Sequence, residues 1–292
     1  MKYLFRADAA PHIGIGDLVS LIKLSEYLEG EKYFLIKDYE ASKKLVKSYN
    51  LNYEIVAENE VEFINNFIKQ KNINTAIFEI TETTLIKYKD IQAKNLVCVN
   101  FDSIVPDNFD FVINWNSITH KYKQKSLVGF EYAIIDKKFF NIKKENPKEI
   151  LIALGGADEF DFTYQIVKLL LENNINNLNV IVGAGYNGKV FELITPKVNV
   201  TNMANEYKNV KVAITAGGLS STEAVASKTP AILIATYKHQ IDRCKFYDEK
   251  GVAKYLGYRT FDDKLLEYIK GFEINDFKIQ TQKVVNEISK LG

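Results

Sequence analysis

Short apolar runs alternate with stretches of helical periodicity along nearly the whole chain. In the first half the runs predict strands near 2–7, 33–37, 52–56, 75–80, 95–101 and 110–115. The periodic stretches predict helices near 17–29, 40–49, 60–71 and 83–93. Leu18, Leu21, Ile22 and Leu28 recur at helical spacing, which gives one apolar face to cover a sheet. From Asn116 the pattern loosens, and residues 141–148, NIKKENPK, read as a charged linker. It then resumes, with strands in EILIAL, LNVIVGAG, KVNVTN, VKVAITAG, PAILIA and VAKYLG. Helices are expected near 161–173, 188–194, 220–228, 239–250, 261–271 and 277–290. Such alternation predicts parallel βαβ units. The expected fold class is α/β, two Rossmann-like doubly wound domains at 1–140 and 148–292. Ligands of such sheets bind beyond the carboxyl ends of the strands.

Composition narrows the function classes. With 292 residues, 47% of them apolar, each half has material for its own core. A net charge of +1, with both signs mixed, lacks the electrostatic footprint of a nucleic-acid partner. No apolar run reaches the roughly 18 residues of a membrane span, and MKYLFRADAA reads as a strand rather than a signal peptide. Cys98 and Cys244, far apart in apolar or helical contexts, read as buried free thiols in a reducing cytoplasm. His12, His120 and His239 are scattered, so neither a metal site nor a cofactor is expected.

Glycine-bearing turns carry the candidate chemistry. In HIGIGDLV, Gly14 and Gly16 bring backbone N–H groups close to a ligand, although the third glycine of a dinucleotide fingerprint is replaced by Val19. Asp17 stands where this turn meets a helix, as either a helix cap or a group facing the ligand. Arg6, Asp8 and His12 are the other polar groups of that first turn; Arg6 and Asp8 are equally readable as an internal ion pair. LGGAD, with Gly156 and Asp158, reads evenly as a phosphate or sugar turn and as a helix cap. In AITAGGLSSTEA, Gly217 and Gly218 leave a strand and Ser220 and Ser221 open a helix. Donors, hydroxyls and a positive dipole end suit phosphates there, while a Ser220–Glu223 capping box is the internal alternative. His239 and Gln240 open a further amphipathic helix, with side chains suited to the same crevice.

Together FRADA with IGIGD, NFD with DFVIN, GFEYAII, LGGAD and GGLSSTEA resemble the family of UDP-2,4-diacetamido-2,4,6-trideoxy-β-L-altropyranose hydrolases of pseudaminic acid synthesis. The resemblance spans nearly the whole chain and implies a GT-B fold, two domains facing a central cleft. It further implies a UDP-linked sugar as substrate, the nucleotide on the C-terminal domain against residues 217–223, Glu223 near the ribose, and the sugar on the N-terminal domain. This sequence departs from the family at two places. Asp17 stands where the family carries its presumed base, a histidine, and Glu79, Ile80 and Thr81 match an Asp-His-Tyr-like stretch. The expected activity is hydrolysis of a UDP-linked amino-deoxy sugar with Asp17 as base. A GT-B glycosyltransferase with the same donor and a non-catalytic nucleotide-sugar-binding protein are the alternatives.

Overall fold

A computed structural model describes the chain except for residues 11, 81–83, 101–103, 156, 157, 184, 190, 199, 201 and 292. The contacts divide the chain into two units, Met1–Ile135 with Gln280–Gly292, and Asp136–Ile279.

The first unit is built on a seven-stranded sheet. Its strands are β1 (Lys2–Arg6), β2 (Glu31–Ile36), β3 (Tyr53–Ile55), β4 (Thr75–Phe78), β5 (Asn95–Val99), β6 (Phe111–Asn114) and β7 (Lys125–Val128). They run in the order β3-β2-β1-β4-β5-β6-β7, and every pairing is parallel. The central strands are buried on both faces, which is why they read as near-continuous apolar runs rather than alternating ones. Phe5 of β1 lies in register with Phe34 of β2 and Ile77 of β4, all three fully buried. The helices α1 (Gly16–Tyr27), α2 (Glu40–Ser48) and α3 (Glu60–Lys71) follow the first three strands.

Two local expectations fail in this unit. The helix expected at 83–93 is only a 3-10 turn, Leu85–Tyr88. Leu85 and Tyr88 are buried in the core and Ile86 is exposed, so a helix-like spacing served a single tight turn. Strand β7 was not expected, since its KSLV sequence is exposed or half-buried at the sheet edge and carries little apolar signal.

The second unit repeats the plan with six strands. They are β8 (Glu149–Ala153), β9 (Leu178–Val182), β10 (Lys197–Val198), β11 (Val210–Ala216), β12 (Ala231–Ala235) and β13 (Ala253–Tyr258). Their order is β10-β9-β8-β11-β12-β13, again all parallel. Helices α4 (Phe162–Glu172), α5 (Met203–Glu206), α6 (Leu219–Ala226), α7 (Ile241–Glu249) and α8 (Lys264–Tyr268) belong to this unit. The described residues of 188–194 form no helix; Phe191 instead contacts the rings of Tyr164 and Tyr186. Within the expected linker, Lys144 is drawn in, donating to Val210 O at 3.2 Å and to Thr229 Oγ1. The last helix, α9 (Thr281–Ser289), groups with the first unit, where Thr281 Oγ1 donates to Ala133 O at 2.6 Å.

Each sheet reverses its strand order beside its first strand, between β1 and β4 in one unit and between β8 and β11 in the other. Such a reversal opens a crevice at the carboxyl edge where the connections diverge. Among the described residues no helix is long and apolar enough to cross a membrane.

Candidate functional site

The connection from β1 to α1 forms one side of the first crevice. Ala10 and Gly14 exchange backbone hydrogen bonds of 3.1 and 2.8 Å, a tight turn for which Gly14 adopts φ +79°. A Cβ added at Gly14 or Gly16 would meet nothing within 4 Å, so the backbone faces open space there. Helix α1 starts at Gly16 with Ile15 as N-cap and no side-chain cap bond. Asp17 is therefore the second residue of the helix and not its cap. Half-buried, it places a carboxylate in the first turn, at the positive end of the helix dipole.

Glu79 follows β4, across the same switch point. Its N–H donates to Arg6 O at 3.0 Å, which holds it against β1. The side chain is 2% exposed; Oε1 accepts from Asn100 Nδ2 at 2.6 Å and Oε2 is hydrogen-bonded to Ser20 Oγ of α1. Burial raises the Glu79 pKa well above the ordinary glutamate range, and the negative charge of Asp17 raises it further. Asn100 is itself fixed, with φ +56°, its N–H on Ile113 O at 2.7 Å and its Oδ1 accepting from Trp115 N at 3.2 Å.

The other polar groups of the first turn lie differently. Arg6 and Asp8 are 0% and 2% exposed and form an ion pair, NH1 to Oδ2, of 2.8 Å. Theirs is the geometry of the internal pair. His12 is exposed and meets the Tyr39 ring edge-on at 5.7 Å.

In the second unit three connections converge on a cavity of about 290 Å³. Gly155, Asp158 and Phe160 follow β8, Gly218 and Ser220 follow β11, and Tyr237 and Gln240 follow β12. Gly156 lies outside the described residues, as do Thr81 and two members of NFD, Phe101 and Asp102. Asp158 caps α4: its Oδ1 accepts from Phe162 N at 3.1 Å and its Oδ2 from Thr163 N at 2.7 Å. It borders the cavity and holds the helix at once.

Helix α6 begins at Leu219 with Gly218 as N-cap and no side-chain cap bond, so Ser220 is not at the cap position that the alternative Ser220–Glu223 capping box requires. Ser221 Oγ turns back to Gly218 O at 2.6 Å, while half-buried Ser220 faces the cavity. Gly217 has a packing role, since an added Cβ would lie 2.4 Å from Cys244 Sγ and 2.8 Å from Gln240 Cβ. Half-buried Glu223 makes itself felt by its charge, which together with the larger effect of burial raises the pKa of Tyr207. Tyr207 OH donates to Ser220 O at 3.3 Å from below.

Gln240 Oε1 accepts from Thr236 N at 2.9 Å and from Thr236 Oγ1 at 3.1 Å, which orients its amide at the cavity wall. His239 stacks on Tyr237, with ring centroids 5.8 Å apart; partial desolvation of its ring and then the Arg243 charge lower its pKa. Sequence reasoning missed Ser20, Asn100, Phe160, Tyr237, Arg243 and Arg259. Arg243 NH1 donates to Gly217 O at 3.4 Å, and the Arg259 guanidinium lies 3.8 Å above the Phe160 ring. An aromatic residue shortly after a strand end, Phe160 beyond β8 and Tyr237 two residues beyond β12, was the available signal.

Such an arrangement offers two neighbouring carboxyl side chains, Asp17 and Glu79, at one crevice and, at the other, donors at a helix start beside aromatic faces. No family model matches the chain. It is 24% identical over 281 residues to the spore coat polysaccharide biosynthesis protein SpsG of Bacillus subtilis, covering 86% of this chain and 82% of that one. To the UDP-2,4-diacetamido-2,4,6-trideoxy-β-L-altropyranose hydrolase of Campylobacter jejuni it is 28% identical over 189 residues, 60% of this chain and 68% of the relative. Among solved structures, MurG of Acinetobacter baumannii superposes with a TM-score of 0.67 at 13% identity, over 99% of this chain and 100% of that one. The chain thus has the GT-B fold, and its sequence resembles the UDP-2,4-diacetamido-2,4,6-trideoxy-β-L-altropyranose hydrolases.

Proposed function

We propose that the chain is a nucleotide-sugar-processing enzyme that hydrolyses the anomeric bond of a UDP-linked amino-deoxy sugar, in pseudaminic-type or other surface-glycan synthesis. The observation that carries this reading is the convergence of three strand-end connections on one cavity in the second unit. There the first-turn N–H groups of α6 have no side-chain cap, Ser220 adds a hydroxyl, and the rings of Phe160 and Tyr237 stand 6.2 Å apart. Uncapped donors at a helix start suit a diphosphate, and flat aromatic faces suit a base.

In the reaction, water adds to the anomeric carbon while its bond to the diphosphate oxygen breaks. The water proton passes to Asp17, and the electron pair leaves with UDP. The α6 donors stabilise the charge that builds on the leaving diphosphate. Asp17 is the candidate base of the two carboxyl groups: Glu79 is held high first by its burial and then by the negative charge of Asp17. The same geometry accepts a sugar hydroxyl in place of water. The likeness in fold to MurG and to the forosaminyltransferase SpnP favours that second reading, a glycosyltransferase.

Phosphorus NMR of the UDP-diacetamido-trideoxy sugar incubated with the protein separates the two. Steady UDP formation without acceptor supports the hydrolase. UDP formed only once a carbohydrate acceptor is added makes it a transferase.

A further inference from the structure

Burial and the neighbouring Asp17 charge raise the Glu79 pKa against the hydrogen bonds from Ser20 and Asn100, which lower it, and the bonding pattern around Ser20 accommodates the proton. Ser20 Oγ lies in bonding contact with two oxygens, Glu79 Oε2 and the Asp17 carbonyl at 3.0 Å. A hydroxyl has one proton, so it donates to one of the two, and the other bond needs a proton from its partner. The Asp17 carbonyl has none to give. Glu79 Oε2 does if the side chain is a carboxylic acid, and Oε1 then serves as the carbonyl-type acceptor for Asn100 Nδ2 at 2.6 Å. With Glu79 protonated, every bond in the chain Asn100, Glu79, Ser20, Asp17 carbonyl is satisfied at once.

The surroundings agree. From α1 the groups facing Glu79 are Asp17, which is negative, and Ser20; from the connection after β5 it is Asn100. On β1 the Arg6 guanidinium is committed to Asp8 and Glu60. Among the described residues no cation is paired with Glu79, and its side chain is buried. A carboxylate there would be a buried charge beside a second carboxylate, which burial penalises heavily.

We propose that Glu79 works as a neutral carboxylic acid and is a positioning residue for Asp17, clamping the first turn of α1 through Ser20. This rests on the hydrolase reading for Asp17, but the state of Glu79 does not. Below the ordinary glutamate value both folded and unfolded chains hold the proton. As pH rises above it, the unfolded chain releases a proton that the folded chain keeps, so the contribution of Glu79 to stability declines until the folded group ionises.

The test compares wild type with Glu79→Gln, whose amide reproduces the acid's donor and acceptor but never ionises. Urea unfolding is followed from pH 5 to 9. The expected result is that the variant gains on wild type with pH, by as much as tenfold in the folding equilibrium constant per pH unit while only the unfolded glutamate has ionised. A gap that is flat, or that shrinks as pH rises, overturns the proposal. For positioning, UDP release in Glu79→Gln is expected to extend to higher pH than in wild type; an unshifted alkaline limb removes the role toward Asp17. Should the variant fail to fold, the side-chain carboxyl carbon of Glu79 in wild type decides: a protonated chemical shift at pH 7 is expected, and a carboxylate shift contradicts it. Absence of UDP release at every pH sinks the hydrolase reading and leaves the unfolding and NMR results to settle Glu79.

Discussion

Arg6 Nε donates to Glu60 Oε1 at 2.6 Å, with the two side chains 0% and 3% exposed. The guanidinium also holds Asp8, so one buried cation serves two carboxylates from β1's exit and the start of α3. Arg6→Met leaves Asp8 buried without its cation and takes one from Glu60. Breaking a buried pair on one side costs about 3 to 5 kcal/mol. Urea unfolding at pH 7 should show a loss of that order; a loss below about 1 kcal/mol would return Arg6 and Asp8 to the list of ligand-facing groups.

Glu60 sets the acid limit of the same network. Burial pushes its pKa up, but the charges of Arg6 and Lys87 and their hydrogen bonds outweigh it, and the net shift is downward. A folded-state value below the unfolded one means stability that is present above the ordinary glutamate range and is lost as pH falls through the folded value. Glu60→Gln should therefore flatten the fall of the urea midpoint on acidification below about pH 4.5. An acid limb as steep as in wild type would assign that loss to other carboxylates.

Adjacent glycines at the head of α6 should respond differently. At Gly217 a methyl group would lie 2.4 Å from Cys244 Sγ and 2.9 Å from Gln240 O, whereas at Gly218 its nearest neighbour would be Gln240 Nε2 at 3.8 Å. Gly217→Ala is expected to cost about 1 to 3 kcal/mol through overpacking and to weaken UDP binding by displacing Gln240. Gly218→Ala should cost about 1 kcal/mol or less. Thermal unfolding of the pair checks the order, and equal losses would refute the packing role of Gly217.

Asp158 can be separated into its two possible duties. Asp158→Ala removes both acceptors of the α4 start and should cost about 1 to 2 kcal/mol. Asp158→Asn keeps one oxygen, and asparagine tolerates the φ of +43° found there. If capping is the whole role, the asparagine variant binds UDP as wild type does in calorimetry. A loss of affinity with unchanged melting would make Asp158 a ligand contact as well.

The strand–helix alternation was readable because buried parallel strands are short apolar runs and their helices carry one apolar face. The segment 83–93 misled because Leu85, Tyr88 and Ile91, all buried, fall at the three-residue spacing of a helix while making a 3-10 turn and a loop. The cavity loops were readable singly, since glycine, serine and aspartate at a strand exit report on local backbone. What local pattern does not carry is contact at long range. Ser20 meets Glu79 across 59 residues and Asn100 meets Glu79 across 21. Likewise α9 is joined to Ala133 by a bond spanning 148 residues. The cap reading of Asp17 failed for a smaller reason: α1 begins at Gly16, one residue before it.

The base assigned to Asp17 is tested most directly by Asp17→Asn, isosteric and uncharged. Release of UDP from the UDP-diacetamido-trideoxy sugar, without acceptor, is followed by phosphorus NMR for wild type and variant, with UDP affinity measured on both by calorimetry. Loss of a general base costs about 100- to 10,000-fold in rate. The expected result is steady release by wild type, a loss of that size in the variant, and equal UDP affinity. Release by Asp17→Asn at the wild-type rate would contradict the role of Asp17, and no release by wild type despite bound UDP would contradict hydrolysis of this sugar itself.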